Sequence, residues 1–185
     1  MKNLKTTPKI YVSTYGKYND GSLKGRWFDL ESFQNAESFD QACRAFHSDE
    51  PEPELMFQDW ENIPSFLICE YFLHPDAFLY FQSIAEMDQT TAEAFRLYCA
   101  NITSWPAYGN DFEAMLEEFN ESYQGYYGGA MKDPKTEFAY QYIEDIGLLA
   151  GVPQMLERYF DYDAFGRDMF LGDYTEYEGH IFLNL

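Results

Sequence analysis

Carboxylates are the side chains with which this sequence could do most chemistry, because it contains 32 Asp and Glu residues. Two carboxylates on either side of a glycosidic bond are sufficient for hydrolysis, but no spacing here singles out one pair. The sequence has no G-x-S-x-G nucleophile elbow, and the glycines between 125 and 129 lack the Lys-Ser/Thr that follows in a P-loop. We therefore predict no catalytic residue and no enzyme, and a carboxylate hydrolase remains an alternative.

The sequence contains no complete metal-ligand motif. The segment Asp161–Gly166 resembles the start of an EF-hand loop. However, Phe165 occupies a position that needs an oxygen ligand, and Gly172 lies where the bidentate Glu belongs. No histidine lies in an H-E-x-x-H motif or beside a cysteine pair. The histidines are scattered along the chain, at His47, His74 and His180. We predict no metal site and no cofactor.

The charge balance indicates a binding protein. The sequence has 32 acidic residues and 12 Lys and Arg, which gives a net charge of −20. Residues 1–30 hold six basic and two acidic side chains, so the rest of the chain carries −24. Such self-repulsion costs stability, and nucleic acid or an anionic membrane would be repelled. The charge therefore favours a strongly basic partner, although acidity that serves only solubility is an alternative.

Cysteine usage and the lack of targeting segments suggest a cytoplasmic protein. Cys43, Cys69 and Cys99 form no C-x-x-C pair and are odd in number, which favours reduced thiols over a disulfide framework. The N-terminal residues contain no apolar signal region, and no apolar run approaches 18 residues. We expect neither secretion nor a membrane span.

The elements that position these side chains begin with a β-β-α-β module over residues 1–63. Strands are predicted over Lys9–Tyr15, Leu23–Leu30 and Glu54–Trp60, with turn residues over Lys17–Gly21. A helix capped by Ser38 is predicted to end at about Phe46.

A helical module is predicted over residues 64–107. Its first helix begins at Pro75, a favourable residue for a first turn. The inner face of this helix is predicted to comprise Phe78, Leu79, Phe81, Ile84 and Ala85. Thr90 or Thr91 is predicted to cap a second helix. Its inward residues are Ala94, Phe95, Leu97 and Tyr98.

A mixed module is predicted over residues 108–185. Asn110 starts a helix whose apolar stripe comprises Phe112, Met115, Leu116 and Phe119. A short strand over Tyr123–Tyr127 and a helix from Asp133-Pro134 to Ile146 follow, the latter ended by Gly147. Short helices are predicted over 154–160 and 163–169, and a hairpin pairs 171–177 with 180–185. The fold class is α+β, in three small modules.

Two segments carry a family resemblance. Ile10–Leu30 (IYVSTYGKYNDGSLKGRWFDL) resembles the opening of ArdA-type antirestriction proteins, with a G-K-Y-N-x-G turn and a G-x-W-F-D-L segment. Tyr159–Asp168 (YFDYDAFGRD) resembles their Y-I-D-Y-x-A-F/Y-G-R-D segment. Tyr142–Gly147 and Val152-Pro153 are similar to the intervening Y-I-E-E-x-G and V-P elements.

The resemblance implies an elongated three-module protein that dimerises and mimics bent B-form DNA. It also implies a partner, the methyltransferase core of a type I restriction–modification enzyme, whose DNA groove the mimic fills. The C-terminal motif is associated in the family with the dimer contact. The resemblance implies the same role for the matching residues here, which are Tyr159, Phe160, Asp161, Tyr162, Asp163, Phe165, Gly166, Arg167 and Asp168.

The charge agrees with DNA mimicry. A duplex carries one charge per about 1.7 Å, so the net charge of a homodimer corresponds to roughly 70 Å of duplex. We predict that the mimicking carboxylates lie on outer faces of the middle and C-terminal helices. They are Asp76, Glu86, Asp88, Glu93, Asp111, Glu113, Glu117, Glu118 and Glu121. The alternative is an acidic adaptor for another basic DNA-associated protein.

Overall fold

A computed structural model describes residues 7–103, 105, 111–129, 131 and 133–185. The chain has an α+β fold with small antiparallel sheets. Its residues group into two compact units, 1–88 with 104–112, and 89–103 with 113–185. We refer to these as the N-terminal and C-terminal units. The three module boundaries given above stay a prediction.

The N-terminal unit is built on a three-stranded sheet in the order β2-β1-β3. The strands are β1 (Lys9–Thr14), β2 (Arg26–Asp29) and β3 (Leu55–Glu61), and both pairings are antiparallel. Helix α1 (Tyr15–Asn19) follows β1, a 3-10 turn (Leu30–Ser32) follows β2, and α2 (Ala36–Phe46) precedes β3.

One face of this sheet is buried. Ile10 and Val12 of β1 and Phe28 of β2 are buried, as is Phe39 of α2. The Phe28 and Phe39 rings meet edge to face with centroids 5.9 Å apart. The predicted strands and helix of this region are therefore confirmed, although β2 is shorter than expected.

Two local predictions in this region are wrong, the first only in part. The turn predicted over 17–21 is confirmed for Asp20 and Gly21. It is wrong for residues 17–19, which lie in helix α1, because the Thr14 hydroxyl accepts a hydrogen bond from the Lys17 backbone N–H and caps a helical turn. Ser38 is not the N-cap of α2. Asn35 holds that position, and Ser38 lies three residues later, where its side chain completes a capping box.

The segment after β3 begins with a hairpin that the sequence did not predict. Strands β4 (Ile68–Cys69) and β5 (Phe72–Leu73) pair across a two-residue turn before helix α3 (Ala77–Glu86).

The inner face predicted for α3 is partly wrong, because Leu79 and Ala85 are exposed and Tyr80 is buried. The buried Trp105 ring stacks on the Tyr80 ring at 6.2 Å, which fixes the side of α3 that faces inward.

The C-terminal unit contains the remaining helices and a second three-stranded sheet in the order β6-β8-β7. In chain order its elements are α4 (Gln89–Asn101), α5 (Phe112–Ser122), β6 (Tyr123–Tyr126), α6 (Pro134–Ile146), α7 (Gln154–Glu157), α8 (Tyr162–Met169), β7 (Tyr174–Tyr177) and β8 (His180–Leu183). The predicted inward residues of α4 are all buried.

Aromatic contacts fill the core of this unit. The Phe95 ring of α4 meets the Phe119 ring of α5 at 5.0 Å, and Tyr98 lies 5.9 Å from Phe182 of β8. A neighbouring cluster comprises Phe138, Ala139, Met169 and Ile181. Helices α4 and α5 therefore have one face fixed inward and one left for solvent.

The predicted starts of α4 and α5 have different outcomes. Neither Thr90 nor Thr91 caps α4, because the helix already begins at Gln89 and both threonines lie in its first turn. Asn110 lies outside the described residues.

No helix among the described residues is long and apolar enough to cross a membrane. The three cysteines are free thiols, as predicted. Burial raises the pKa of Cys43 to about 12 and also raises that of Cys99, so these two thiols stay protonated and unreactive at neutral pH.

Candidate carboxylate surface

Eight of the nine carboxylates predicted to form a mimicking surface are exposed, and Asp76 is partly buried. Asp76 precedes α3, and its carboxylate lies 3.9 Å from the Nδ1 atom of His74. The N-terminal unit holds Asp76, Glu86, Asp88 and Asp111. The C-terminal unit holds Glu93, Glu113, Glu117, Glu118 and Glu121.

The clearest regularity lies on α5, where Glu113, Glu117 and Glu121 follow i, i+4 spacing and are all exposed. We call these three residues the α5 stripe. Met115 and Phe119 of the same helix are buried, so packing of the apolar side holds the stripe toward solvent.

The α5 stripe alone is less dense in charge than DNA. Four residues of helix rise about 6 Å, whereas a duplex has one charge per about 1.7 Å. The exposed Glu118 adds a fourth charge to the same helix. Burial, together with the charge of Glu118, raises the pKa of Tyr98 to about 12. Carboxylates from further elements are needed to reach the density of a duplex.

Basic side chains of the N-terminal unit are paired with acids that lie outside the predicted surface. Lys9 lies 2.9 Å from Glu61, and Arg44 lies 2.7 Å from Asp40. Each of these pairs cancels one positive and one negative charge locally.

The most buried of these cations is Lys17, which is 8% exposed. Its ammonium donates to Glu50 and, at 3.1 Å, to Asp49. Lys24 also donates to Asp49, at 2.9 Å. Hydrogen bonds from Lys24 and Lys17 lower the pKa of Asp49 to about 2. The Asp49 carboxylate therefore links Lys17 of α1 to the segment that follows α2.

The C-terminal unit differs in this respect. Where both partners are described, it contains one pair between a Lys or Arg and a carboxylate, Arg96 with Glu178 at 3.8 Å. Its sequence holds 16 acidic and five basic residues. This unit therefore carries a net charge of −11.

The C-terminal motif is divided between structural and outward-facing residues. Asp161 caps α8, accepting from the Ala164 backbone N–H at 2.8 Å. The carboxylate of Asp163 accepts from the Thr136 hydroxyl at 2.8 Å. Gly166 is buried against α6, where an added Cβ would lie 3.0 Å from the Lys135 carbonyl oxygen. These three residues hold α8 on α6.

The rest of the motif is more accessible. Tyr159 is 82% exposed, and Arg167 and Asp168 are also exposed. Phe160, Tyr162 and Phe165 are half-buried. They form a ring cluster in which Phe160 lies 4.9 Å from Tyr162 and 5.8 Å from Phe165.

Sequence reasoning missed two exposed apolar residues just before the motif. Met155 is 69% exposed and Leu156 is 52% exposed, both on the short helix α7. We call Met155, Leu156 and Tyr159 the α7 patch. The sequence predicted a longer helix over 154–160, whereas α7 ends at Glu157 and leaves both adjacent apolar side chains exposed.

The family comparison agrees with these motifs. The family model described as antirestriction protein (ArdA) matches residues 10–182. The chain belongs to the ArdA antirestriction family. The match spans both units and includes both motif segments. A search of curated proteins gave no match to this ArdA family member.

A carboxylate hydrolase would need a cleft with suitable acids, and the N-terminal unit of this ArdA protein has a cleft that contains carboxylates. An open cleft of about 560 Å³ is lined by Arg44, Ser48, Glu50, Pro51, Glu52 and Pro53. Hydrogen bonds from Lys17 and Thr14 lower the pKa of Glu50. A general acid needs the opposite shift, so Glu50 is not suited to that role.

Proposed function

We propose that this ArdA family member inhibits type I restriction–modification enzymes by placing surface carboxylates where DNA phosphates would bind. The observation that carries the proposal is the exposure of the α5 stripe and its neighbours on helices whose opposite faces are buried. Packing of the buried faces thus leaves these carboxylates exposed for contact with a partner.

Electrostatics favours such a partner over the alternatives. A groove that binds DNA is lined by Lys and Arg and holds counterions, which an acidic protein with a net charge of −20 would displace. Binding would be steered at long range and would weaken as salt rises. No base edge is imitated, so the DNA sequence that the enzyme recognises should not affect inhibition.

The proposed mechanism requires no catalysis and no cofactor. The protein acts by occupancy, in the cytoplasm, where the restriction enzyme meets DNA. We further propose that it forms a homodimer through the C-terminal motif and the α7 patch. Exposed apolar side chains of this kind favour a protein contact, and Arg167 at the end of α8 adds a polar one.

A competition experiment tests the proposal. A labelled duplex is bound to a type I methyltransferase core, and the protein is added at several salt concentrations. We expect displacement of the duplex, with an inhibition constant that rises steeply with salt. An acidic adaptor would bind a basic protein and leave the duplex in place, and that result would refute the proposal.

A further inference from the structure

The hairpin formed by β4 and β5 presents two aromatic side chains to solvent. Tyr71 lies in its two-residue turn and is 76% exposed, and Phe72 follows it and is 47% exposed. Tyr71 has neither a hydrogen bond nor a ring contact within the described part of the chain. Phe72 rests on one side against His74, with the ring centroids 6.0 Å apart.

Backbone hydrogen bonds hold this turn in place. The Phe57 N–H of β3 donates to the Glu70 carbonyl at 2.7 Å, and the His74 N–H donates to the Leu67 carbonyl at 2.8 Å. Ile68 of β4 and Leu67, which precedes it, are buried. An aromatic side chain on such a rigid support loses little entropy on binding, which is typical of interface anchors.

The charge around the hairpin indicates what kind of partner would meet it. From residue 45 to Asp88, where the first segment of this unit ends, the chain contains 10 acidic residues and no Lys or Arg. Three of these acids, Asp49, Glu50 and Glu61, pair with lysines from the first 30 residues. Glu70 lies in the turn itself and is exposed, and Glu86 on α3 is exposed as well. A partner that approaches Tyr71 therefore meets the exposed Glu70 carboxylate of the same turn, which favours a basic surface.

We propose that Tyr71 and Phe72 are an anchor that inserts into an apolar or aromatic pocket within the basic DNA channel of the inhibited enzyme. The inference rests on the proposed function. Enzymes that methylate a base extrude it from the duplex and hold it by stacking against aromatic and apolar side chains. Such a pocket opens inside a groove lined by cations, the combination that this acidic hairpin complements.

The test compares Tyr71→Ala with the wild type and with a matched control. Tyr18→Ala is the control, because Tyr18 is also an exposed tyrosine of the N-terminal unit, 57% exposed, but follows Lys17 in the basic N-terminal segment. Each protein is titrated against a labelled duplex on the methyltransferase core at low and moderate salt. Binding to poly-L-lysine, which has charge but no pocket, is measured in parallel.

We expect Tyr71→Ala to raise the inhibition constant at least about tenfold at both salt concentrations. The slope against salt and the affinity for poly-L-lysine should not change, because no charge is removed. Tyr18→Ala should match the wild type in every measurement. Circular dichroism confirms that the variants are folded.

Two results would overturn the inference. If Tyr71→Ala displaces the duplex as well as the wild type does, there is no anchor, although the proposed function stands. If it loses affinity for poly-L-lysine to the same extent, the effect is electrostatic or structural. A wild-type protein that does not displace the duplex would instead refute the proposed function, and the anchor with it.

Discussion

Replacing Gly166 with valine is expected to destabilise the C-terminal unit. An ideal Cβ at this position would lie 3.0 Å from the Lys135 carbonyl oxygen and 3.2 Å from the Ala139 Cβ. Both atoms belong to α6 and cannot rotate away, unlike the end of a flexible side chain. Overpacking of this kind costs about 1–3 kcal/mol, and replacing glycine within a helix returns less than about 1 kcal/mol. We expect a net loss of about 1–2 kcal/mol.

Urea unfolding followed by circular dichroism measures this loss. Gly172→Val is the matched control, because no atom lies within 4 Å of the Cβ position at Gly172. The control should unfold close to the wild-type midpoint, and Gly166→Val at a clearly lower one. If the two variants unfold at the same midpoint, the close contact between α8 and α6 is not what requires glycine in this motif. A loss of dimerisation with unchanged stability would indicate a partner contact instead.

Three further predictions concern acid sensitivity, helix capping and charge. Burial lowers the pKa of both His47 and His180. The unfolded chain therefore binds more protons than the folded protein below about pH 6.5, and the free energy of unfolding should fall there. Urea midpoints at pH 7.5 and 5.5 test this, and replacing both histidines with glutamine should reduce the difference between the two midpoints. Asp133→Ala removes the side-chain cap of α6 and should cost about 0.5–2 kcal/mol in thermal or urea unfolding; an unchanged midpoint would contradict this. Changing all three residues of the α5 stripe to glutamine should weaken duplex displacement and reduce its dependence on salt, whereas each single change should have little effect. A single change that abolishes inhibition in a folded protein would refute the idea that the charge acts as a distributed surface.

Helices with local signals could be predicted from the sequence. The limits of α6 match the prediction, because Asp133 caps it, Pro134 opens it and Gly147, with a φ of 64°, ends it. The last hairpin was also predicted, with its turn at Glu178-Gly179, where both residues have positive φ. Its strands, Tyr174–Tyr177 and His180–Leu183, are shorter than the predicted 171–177 and 180–185. These signals act within a few residues and need no tertiary contact.

The β4–β5 hairpin and the inward face of α3 could not be predicted in this way. Strands of two residues leave no periodicity to detect, and the hairpin is fixed by a bond from Phe57, which is distant in the chain. Leu79 and Tyr80 are adjacent and similarly apolar, and the stacking of Trp105 decides which one is buried. Contacts between residues that are distant in the sequence determine both the hairpin and the inward face of α3.

The sequence alone determined the sign and size of the charge, and its two motif segments pointed to the ArdA family, because composition and short patterns do not depend on folding. The tertiary structure decided which carboxylates are paired, as Asp49 is with Lys17 and Lys24, and which face solvent, as the α5 stripe does. It also shows why the motif has glycine at position 166, because a Cβ there would lie too close to α6. Pairing and exposure depend on distances of a few ångströms between residues far apart in the chain, which only the folded backbone sets.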